Sequence, residues 1–463
     1  MRGAEHLFGI DRLAVARVRG ADAVYIHTGH PDIYSMQVFD ADASDEARSL
    51  SAIREQIERN VRNVPRLSLR VAAHPLRTDL PYWVPDPAPV DAHVVEVDAW
   101  GKSWAECMPA IASIVGVSLD PFVSCWCVHV LRGVRGLPGA SGVATVTAHL
   151  GGPPTLAQSV LGVGRTVAGA TALAVSALTG QRSKVPVRQG STAGGGNVAD
   201  GAVRKEVVPS GPISVRVFVV PLNDLRVPGF TVTLVLLTAI SFALERYSAE
   251  TGVSRKPYLY NVPMAVPDSF VRAGMNKISG ALVTLRVDVA VLGSRAQAVR
   301  DNLIASRVEA TGPARAELFR SMDRTPGPLI RAFAARSAWL RAKRPMLPGT
   351  HAKLASYTAG EADLELAGAR LLFVSSVPGI GFGIKLAHNG IGVGGLVGIS
   401  VTSTEDLIEN PDRYEQILRD ALAEVVQELR PRTGGIDGGV DQSSDRPTTA
   451  DRKESNREDH APA

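Results

Sequence analysis

Cysteine is scarce: Cys107, Cys125 and Cys127 are all that 463 residues hold. Three thiols cannot build a disulfide framework, so they read as reduced, buried side chains of a cytoplasmic protein. Cys125 and Cys127 flank Trp126 and would share one face of a strand, but only His129 is near enough in sequence to complete a metal site, and no metal is expected. Acidic residues are missing altogether from 121 to 199, a stretch that carries Arg132, Arg135, Arg165, Arg182, Lys184 and Arg188. The opening MRGAEHLFGIDRLAV lacks the unbroken apolar run of an export signal, so export is not expected. The chain has no P-loop, no G-x-G-x-x-G after a strand, no H-E-x-x-H and no G-x-S-x-G elbow, and the Gly-Ala-Ser-Gly at 139–142 lacks the elbow spacing. These absences argue against nucleotide hydrolysis, dinucleotide chemistry, zinc proteolysis and serine-elbow hydrolysis.

Enough apolar material is present, at 45% of residues, to build cores, and the length suits two domains better than one. Residues 44–61 read as a helix that Ser44 can cap, with Leu50, Ile53, Ile57 and Val61 at helical spacing. Strands are expected at 93–100, 125–131 and 142–150, the last two joined by a turn-rich segment. Residues 159–179 form an apolar run interrupted only by Arg165. It has the minimum length of a membrane span, yet its Gly, Ala, Ser and Thr give little apolar drive, which favours a packed or interfacial helix. A Gly/Ser/basic linker follows at 180–204. The expected organisation is therefore a first domain over 1–158, the apolar helix and linker over 159–204, a second domain over 205–432 and a disordered polar tail over 433–463.

The second half opens on a strand at 212–220, continues into a strongly apolar helix at 233–252 and ends on a helix at 411–430 with Pro411 in its first turn. The glycine-rich 379–395 interleaves β-formers and reads as twisted strands and turns, not as a phosphate cradle. Residues 329–345 read as a basic, partly amphipathic helix bearing Arg331, Arg336, Arg341, Lys343 and Arg344, either a solvated face or a contact for an anionic membrane. Net charge is +4, but the basic residues are spread along the chain and no nucleic-acid motif appears, so a nucleic-acid partner is not expected.

Seven residues carry the chemistry that stands out: Ala148-His149-Leu150-Gly151-Gly152-Pro153-Pro154. They resemble the HHxxxDG motif of the bacterial wax ester synthase/diacylglycerol acyltransferase family, within the CoA-dependent acyltransferase superfamily. The second histidine is kept as His149, while Ala148 replaces the first and Pro153 and Pro154 replace Asp and Gly. Other landmarks follow in family order. Trp83, Asp86 and His93 resemble its W-x-x-D-P…H-V stretch; Leu119, Asp120 and Trp126 resemble its L-D-x-x-R-P-L-W, without the Arg-Pro-Leu. Residues 231–244 stand at its T-V-N-D-V segment, with Thr233-Leu234 for Asn-Asp. Residues 261–269 look like its V-P-V-S segment, Asn276 matches its G-N, and the segment 375–379, Ser-Ser-Val-Pro-Gly, resembles its S-N-V-P-G-P turn.

The resemblance implies a mixed α/β, two-domain sandwich like chloramphenicol acetyltransferase, with a tunnel between pseudo-related halves. It also implies acyl transfer from acyl-CoA to a lipid alcohol or diacylglycerol, making wax ester or triacylglycerol, with His149 as general base and acyl-CoA as substrate, not as resident cofactor. Substrate-binding residues would be Gly151, Gly152, Trp126, Asn276 and Ser376. The location implied is cytoplasmic, peripheral at the membrane or a lipid droplet. A neutral imidazole suits the base because its pKa lies near working pH. Replacing the motif carboxylate with Pro153 removes a group that orients the loop, which motivates an alternative: a catalytically impaired relative that binds acyl chains or partners with active ones. Of the remaining histidines, His27 and His30 are close enough to share a site but sit in an expected turn, and His93 and His129 fall in expected strands.

Overall fold

The computed structural model describes residues 16–28, 33–40, 49–73, 79–117, 119–137, 144–150, 212–252, 259–266, 278–343, 352–380 and 384–430. All belong to one unit, Met1–Arg430. The apolar run at 159–179, the linker at 180–204 and the tail at 433–463 lie outside the described residues.

The first half of the chain runs β1 (Ala16–Arg17), α1 (Gly20–Thr28), β2 (Ile33–Asp40), α2 (Leu50–Arg62), β3 (Leu69–Ala72), β4 (Tyr82–Pro85), β5 (Val94–Val97), α3 (Trp104–Val115), β6 (Cys127–Val134) and β7 (Ala144–Leu150). The second half runs β8 (Ile213–Pro221), α4 (Val232–Thr251), β9 (Leu259–Ala265), β10 (Ile278–Thr284), α5 (Leu292–Ala310), α6 (Pro313–Arg324), α7 (Gly327–Lys343), β11 (Ala352–Thr358), β12 (Glu365–Leu366), β13 (Ala369–Pro378), β14 (Leu386–Val393), β15 (Leu396–Thr404) and α8 (Pro411–Leu429).

Two mixed sheets dominate. One has the order β12-β13-β2-β7-β6-β5 and the other β10-β9-β11-β14-β15-β8; a small third sheet is β1-β4-β3. The first sheet is not built from one half of the chain, because β13, with β12 on its far side, arrives from the second half to flank β2. β13 also packs against β14 and β15 of the other sheet, which makes it the seam of the molecule. The approach is tight. A Cβ on Gly398 of β15 would fall 2.2 Å from the Val374 carbonyl oxygen, so only glycine fits there without movement.

Local sequence explains the helices. α2 buries Ile53, Ile57 and Val61, as their spacing predicts, but its cap is Ser49, whose Oγ accepts the Ala52 N–H at 3.4 Å, and not Ser44. The helix begins where the side chain able to cap it stands one residue before Leu50. α3 carries a capping box: Ser103 Oγ accepts the Glu106 N–H, and Glu106 accepts the Ser103 N–H at 2.7 Å. α4, capped by Thr231, is 20 residues long and apolar enough to span a bilayer, yet its side chains from Leu234 to Leu244 are largely buried. It is the central core helix of the second half, packed against α5 and α8 over the second sheet. α8 starts at Pro411 under the Asn410 cap. α7 covers most of the expected basic helix; Ile330 and Ala334 are buried, the helix packs on α1, and Arg331 donates to the Asp79 carbonyl at 3.1 Å.

Three local expectations are corrected. His27 is in the last turn of α1 rather than in a turn before a strand, and His30 lies outside the described residues. His93 closes a short 3-10 helix (Val90–His93), and the strand starts one residue later. Ser375 to Pro378 belong to β13 and are not a turn: β2 pairs with them along their whole length, and Pro378, lacking an N–H, ends the ladder.

Candidate active site

β7 lies between β2 and β6, and His149 is its penultimate residue. Register fixes its backbone position. His149 stands opposite Ser35 of β2 on one side and Val128 of β6 on the other, and Ser35 in turn stands opposite Ser376 of β13. One row across four strands thus reads Val128, His149, Ser35, Ser376. Ser376 is buried at the seam, and its backbone carbonyl accepts a hydrogen bond from the Ser400 hydroxyl of β15. The row that starts beside His149 therefore ends at a contact between the two sheets.

The adjacent row reads His129, Ala148, Met36, Ser375. A histidine thus stands across from the residue that precedes His149. Burial pushes the His129 imidazole below its usual pKa, so it is neutral, and its Nδ1 has no hydrogen-bond partner among the described residues. Ser375, fully buried, likewise has no partner for its hydroxyl among them. In the sequence His129 reads as an ordinary strand residue; the cross-strand pairing that brings it to Ala148 is not visible without the register.

The upstream landmarks converge into a brace. His93 stacks on Trp126 with ring centroids 4.3 Å apart, and its Nδ1 donates to the Trp126 carbonyl at 3.1 Å and lies 3.0 Å from Ser124 Oγ. Its Nε2 lies 3.7 Å from Asp86 Oδ2, with both side chains almost fully buried. Trp126 itself is buried, and its indole N–H donates to the Leu67 carbonyl at 2.6 Å. The Trp126 ring and N–H are thus both occupied by protein groups. Cys127 follows immediately as the first residue of β6, so the brace stands at the start of the strand whose Val128 pairs with His149.

Gly151, Gly152, Pro153, Pro154 and Asn276 lie outside the described residues. Thr231, at the place of the family's T-V-N-D, caps α4, and Leu234 is part of the second-half core. Among the described residues no three His, Cys, Asp or Glu side chains converge as metal ligands would.

No protein-family model matches the sequence, and no curated protein does. Solved structures match in fold. A wax ester synthase/diacylglycerol acyltransferase from Marinobacter aquaeolei superposes with a TM-score of 0.57 at 16% identity, over 89% of this chain and 99% of that one. A trichothecene 15-O-acetyltransferase from Fusarium sporotrichioides gives 0.53 at 11% identity, over 90% and 95%. The first condensation domain of the calcium-dependent antibiotic synthetase gives 0.50 at 12% identity, over 90% and 96%. Such identities speak to architecture alone, and each match spans nearly the whole of both chains. The chain shares the mixed α/β fold of these two acyltransferases and of the condensation domain.

Proposed function

We propose that this protein is an acyl-CoA-dependent O-acyltransferase that esterifies a lipid alcohol or diacylglycerol, with His149 as general base. The observation that carries the reading is the position of His149 near the end of β7, in one row with Ser35 and Ser376, at the level where β13 meets the other sheet. The landmarks around the HHxxxDG-like segment and the acyltransferases among the fold neighbours support it. The imidazole takes the hydroxyl proton of the acceptor as its oxygen attacks the thioester carbonyl of acyl-CoA. Collapse of the tetrahedral intermediate breaks the C–S bond, and the thiolate leaves with the proton that the imidazolium returns. Gly151, Gly152, Asn276 and Ser376 are the residues that contact substrate in this reading, and Trp126 contributes from the start of β6. The basic side chains of α7 suit peripheral contact with an anionic membrane or lipid droplet on the cytoplasmic side.

The test is ester formation from labelled acyl-CoA and a long-chain alcohol or diacylglycerol, with the purified chain and with His149→Ala. Loss of a positioned base lowers such rates by about 10²–10⁴-fold; equal rates in the two proteins would remove His149 from the mechanism. A second reading is favoured by Pro153 and Pro154, which stand where the motif has Asp and Gly: a relative that binds acyl-CoA without turning it over. Saturable acyl-CoA binding with no ester from any acceptor selects this second reading over the first.

A further inference from the structure

A buried cation with no counter-ion among the described residues lies between the sheets. Lys353 is the second residue of β11. Its neighbours Ala352 and Leu354 belong to the core beneath α4, so strand alternation turns Lys353 to the opposite face. That is the face on which Val215 and Val217 of β8, and Ile391 and Val393 of β14, pack towards the first sheet. Lys353 is 9% exposed, and its Nζ donates to the carbonyl of Gly379, one residue beyond β13, at 2.9 Å. An ammonium has three N–H donors. Among the described residues Nζ has no second acceptor, and no carboxylate lies within ion-pair distance of it. Burial lowers its pKa to about 8, which leaves it mostly charged at neutral pH.

Its neighbours are just as incomplete. Across the sheet the row reads Asn261 on β9, Lys353, Ala387 on β14 and Thr402 on β15. Asn261 is 7% exposed and Thr402 fully buried, and neither Asn261 Oδ1 nor Thr402 Oγ1 has a partner among the described residues. Buried polar atoms are as a rule hydrogen-bonded; two exceptions in the row of a buried cation, with the small Ala387 between Lys353 and Thr402, mark polar groups that a ligand can satisfy. The hydroxyl and the ammonium both donate, and the amide, turned over, presents its NH2.

We infer that Lys353, with Asn261 and Thr402, forms a subsite for an anionic group, a carboxylate or a phosphate, on a ligand that enters between the two sheets. Gly379 is three residues along the chain from Ser376, so the subsite lies about 10 Å from the row of His149, measured along an extended strand. An anion there forms charge-assisted hydrogen bonds in a place from which water is largely excluded. The inference concerns binding and does not require His149 to act as a base.

Calorimetric titration of the full chain with octanoate, inorganic phosphate and CoA tests it, against Lys353→Met and Lys353→Arg. At least one probe is expected to bind at least tenfold more weakly to Lys353→Met and to be largely rescued in Lys353→Arg. Octanoate as that probe assigns the carboxylate of an acyl chain or acceptor, and CoA assigns a donor phosphate. If no probe binds the parent chain, or if all bind Lys353→Met as they bind the parent, the subsite does not exist. Should Lys353→Met fail to fold, acetylation of the parent chain at pH 8 with a mass-spectrometric readout decides. A saturating probe is expected to protect Lys353, and equal labelling with and without every probe overturns the inference. An inert His149→Ala that still binds anions through Lys353 separates failure of the transfer reading from failure of this one.

Discussion

The hydroxyl of Ser400 donates to the backbone carbonyl of Ser376, and so ties β15 of the second sheet to β13 of the first. Two residues earlier on β15, Gly398 lets the backbones approach until an added Cβ would meet the Val374 carbonyl at 2.2 Å. The seam depends on a missing side chain as much as on a hydrogen bond. Gly398→Ala is expected to cost about 1–3 kcal/mol through overpacking. An unchanged urea midpoint would show that the strands can part here without loss.

Arg295 of α5 is fully buried. It donates to the Val289 carbonyl at 2.6 Å and to Glu245 at 2.7 Å, and its guanidinium lies 3.9 Å from the Phe242 ring centroid. Glu245 is half exposed and can turn to water if its partner goes. The damage in Arg295→Ala therefore comes mainly from the orphaned carbonyl and the cavity, and about 2–5 kcal/mol is expected. Arg295→Lys keeps the charge but loses the planar fork, and should recover only part of that in chemical denaturation.

His388 of β14 lies between Tyr260 OH, 3.3 Å from Nδ1, and Tyr414 OH, 2.9 Å from Nε2. Burial lowers its pKa to about 3, so the folded chain keeps it neutral. Between pH 3 and about 6.5 the unfolded chain binds a proton that the folded chain does not, so stability falls as the solution is acidified through that window. The slope is about 1.4 kcal/mol per pH unit for one proton. His388→Asn should flatten the dependence of the urea midpoint between pH 6.5 and 5, where few carboxylates titrate. A slope as steep as the parent's would place the acid sensitivity elsewhere.

Trp126 donates its indole N–H to the Leu67 carbonyl and stacks on His93. Trp126→Phe keeps a ring for the stack and removes the donor, leaving a carbonyl unpaired at an expected cost of about 1–3 kcal/mol. Because β6 begins at the next residue, the change should also raise amide exchange at Val128. Unaltered exchange there, with lowered stability, would confine the brace to packing.

Elements whose instructions are local were readable in advance. The helix at 411–429 has Asn410, Pro411 and a clean apolar period; β8 and the core helix α4 announce themselves by composition. α2 was legible in its buried face and misjudged in its cap, since Ser44 and Ser49 are equally good acceptors in sequence and tertiary packing chooses between them. What sequence could not show is everything set by pairing over long separations. The partnership of β13 with β2 joins residues more than 300 apart, and the rows that set His149 beside Ser35, or His129 beside Ala148, follow only from register. His149 itself was visible because its neighbours resemble a known motif. Lys353 is not legible in the same way, since a single lysine in a strand reads as a surface residue until the first sheet covers it.

The late arrival of β13 has a consequence for synthesis. β2 is made at residues 33–40, but the strand that flanks it on one side emerges only at 369–378, after nearly four-fifths of the polypeptide has left the ribosome. Until then β2 offers an unpaired edge to solvent, and edges of this kind recruit other strands. A nascent chain of this protein needs shielding over most of its translation, and truncation before residue 378 would yield an aggregating fragment and not a smaller folded domain.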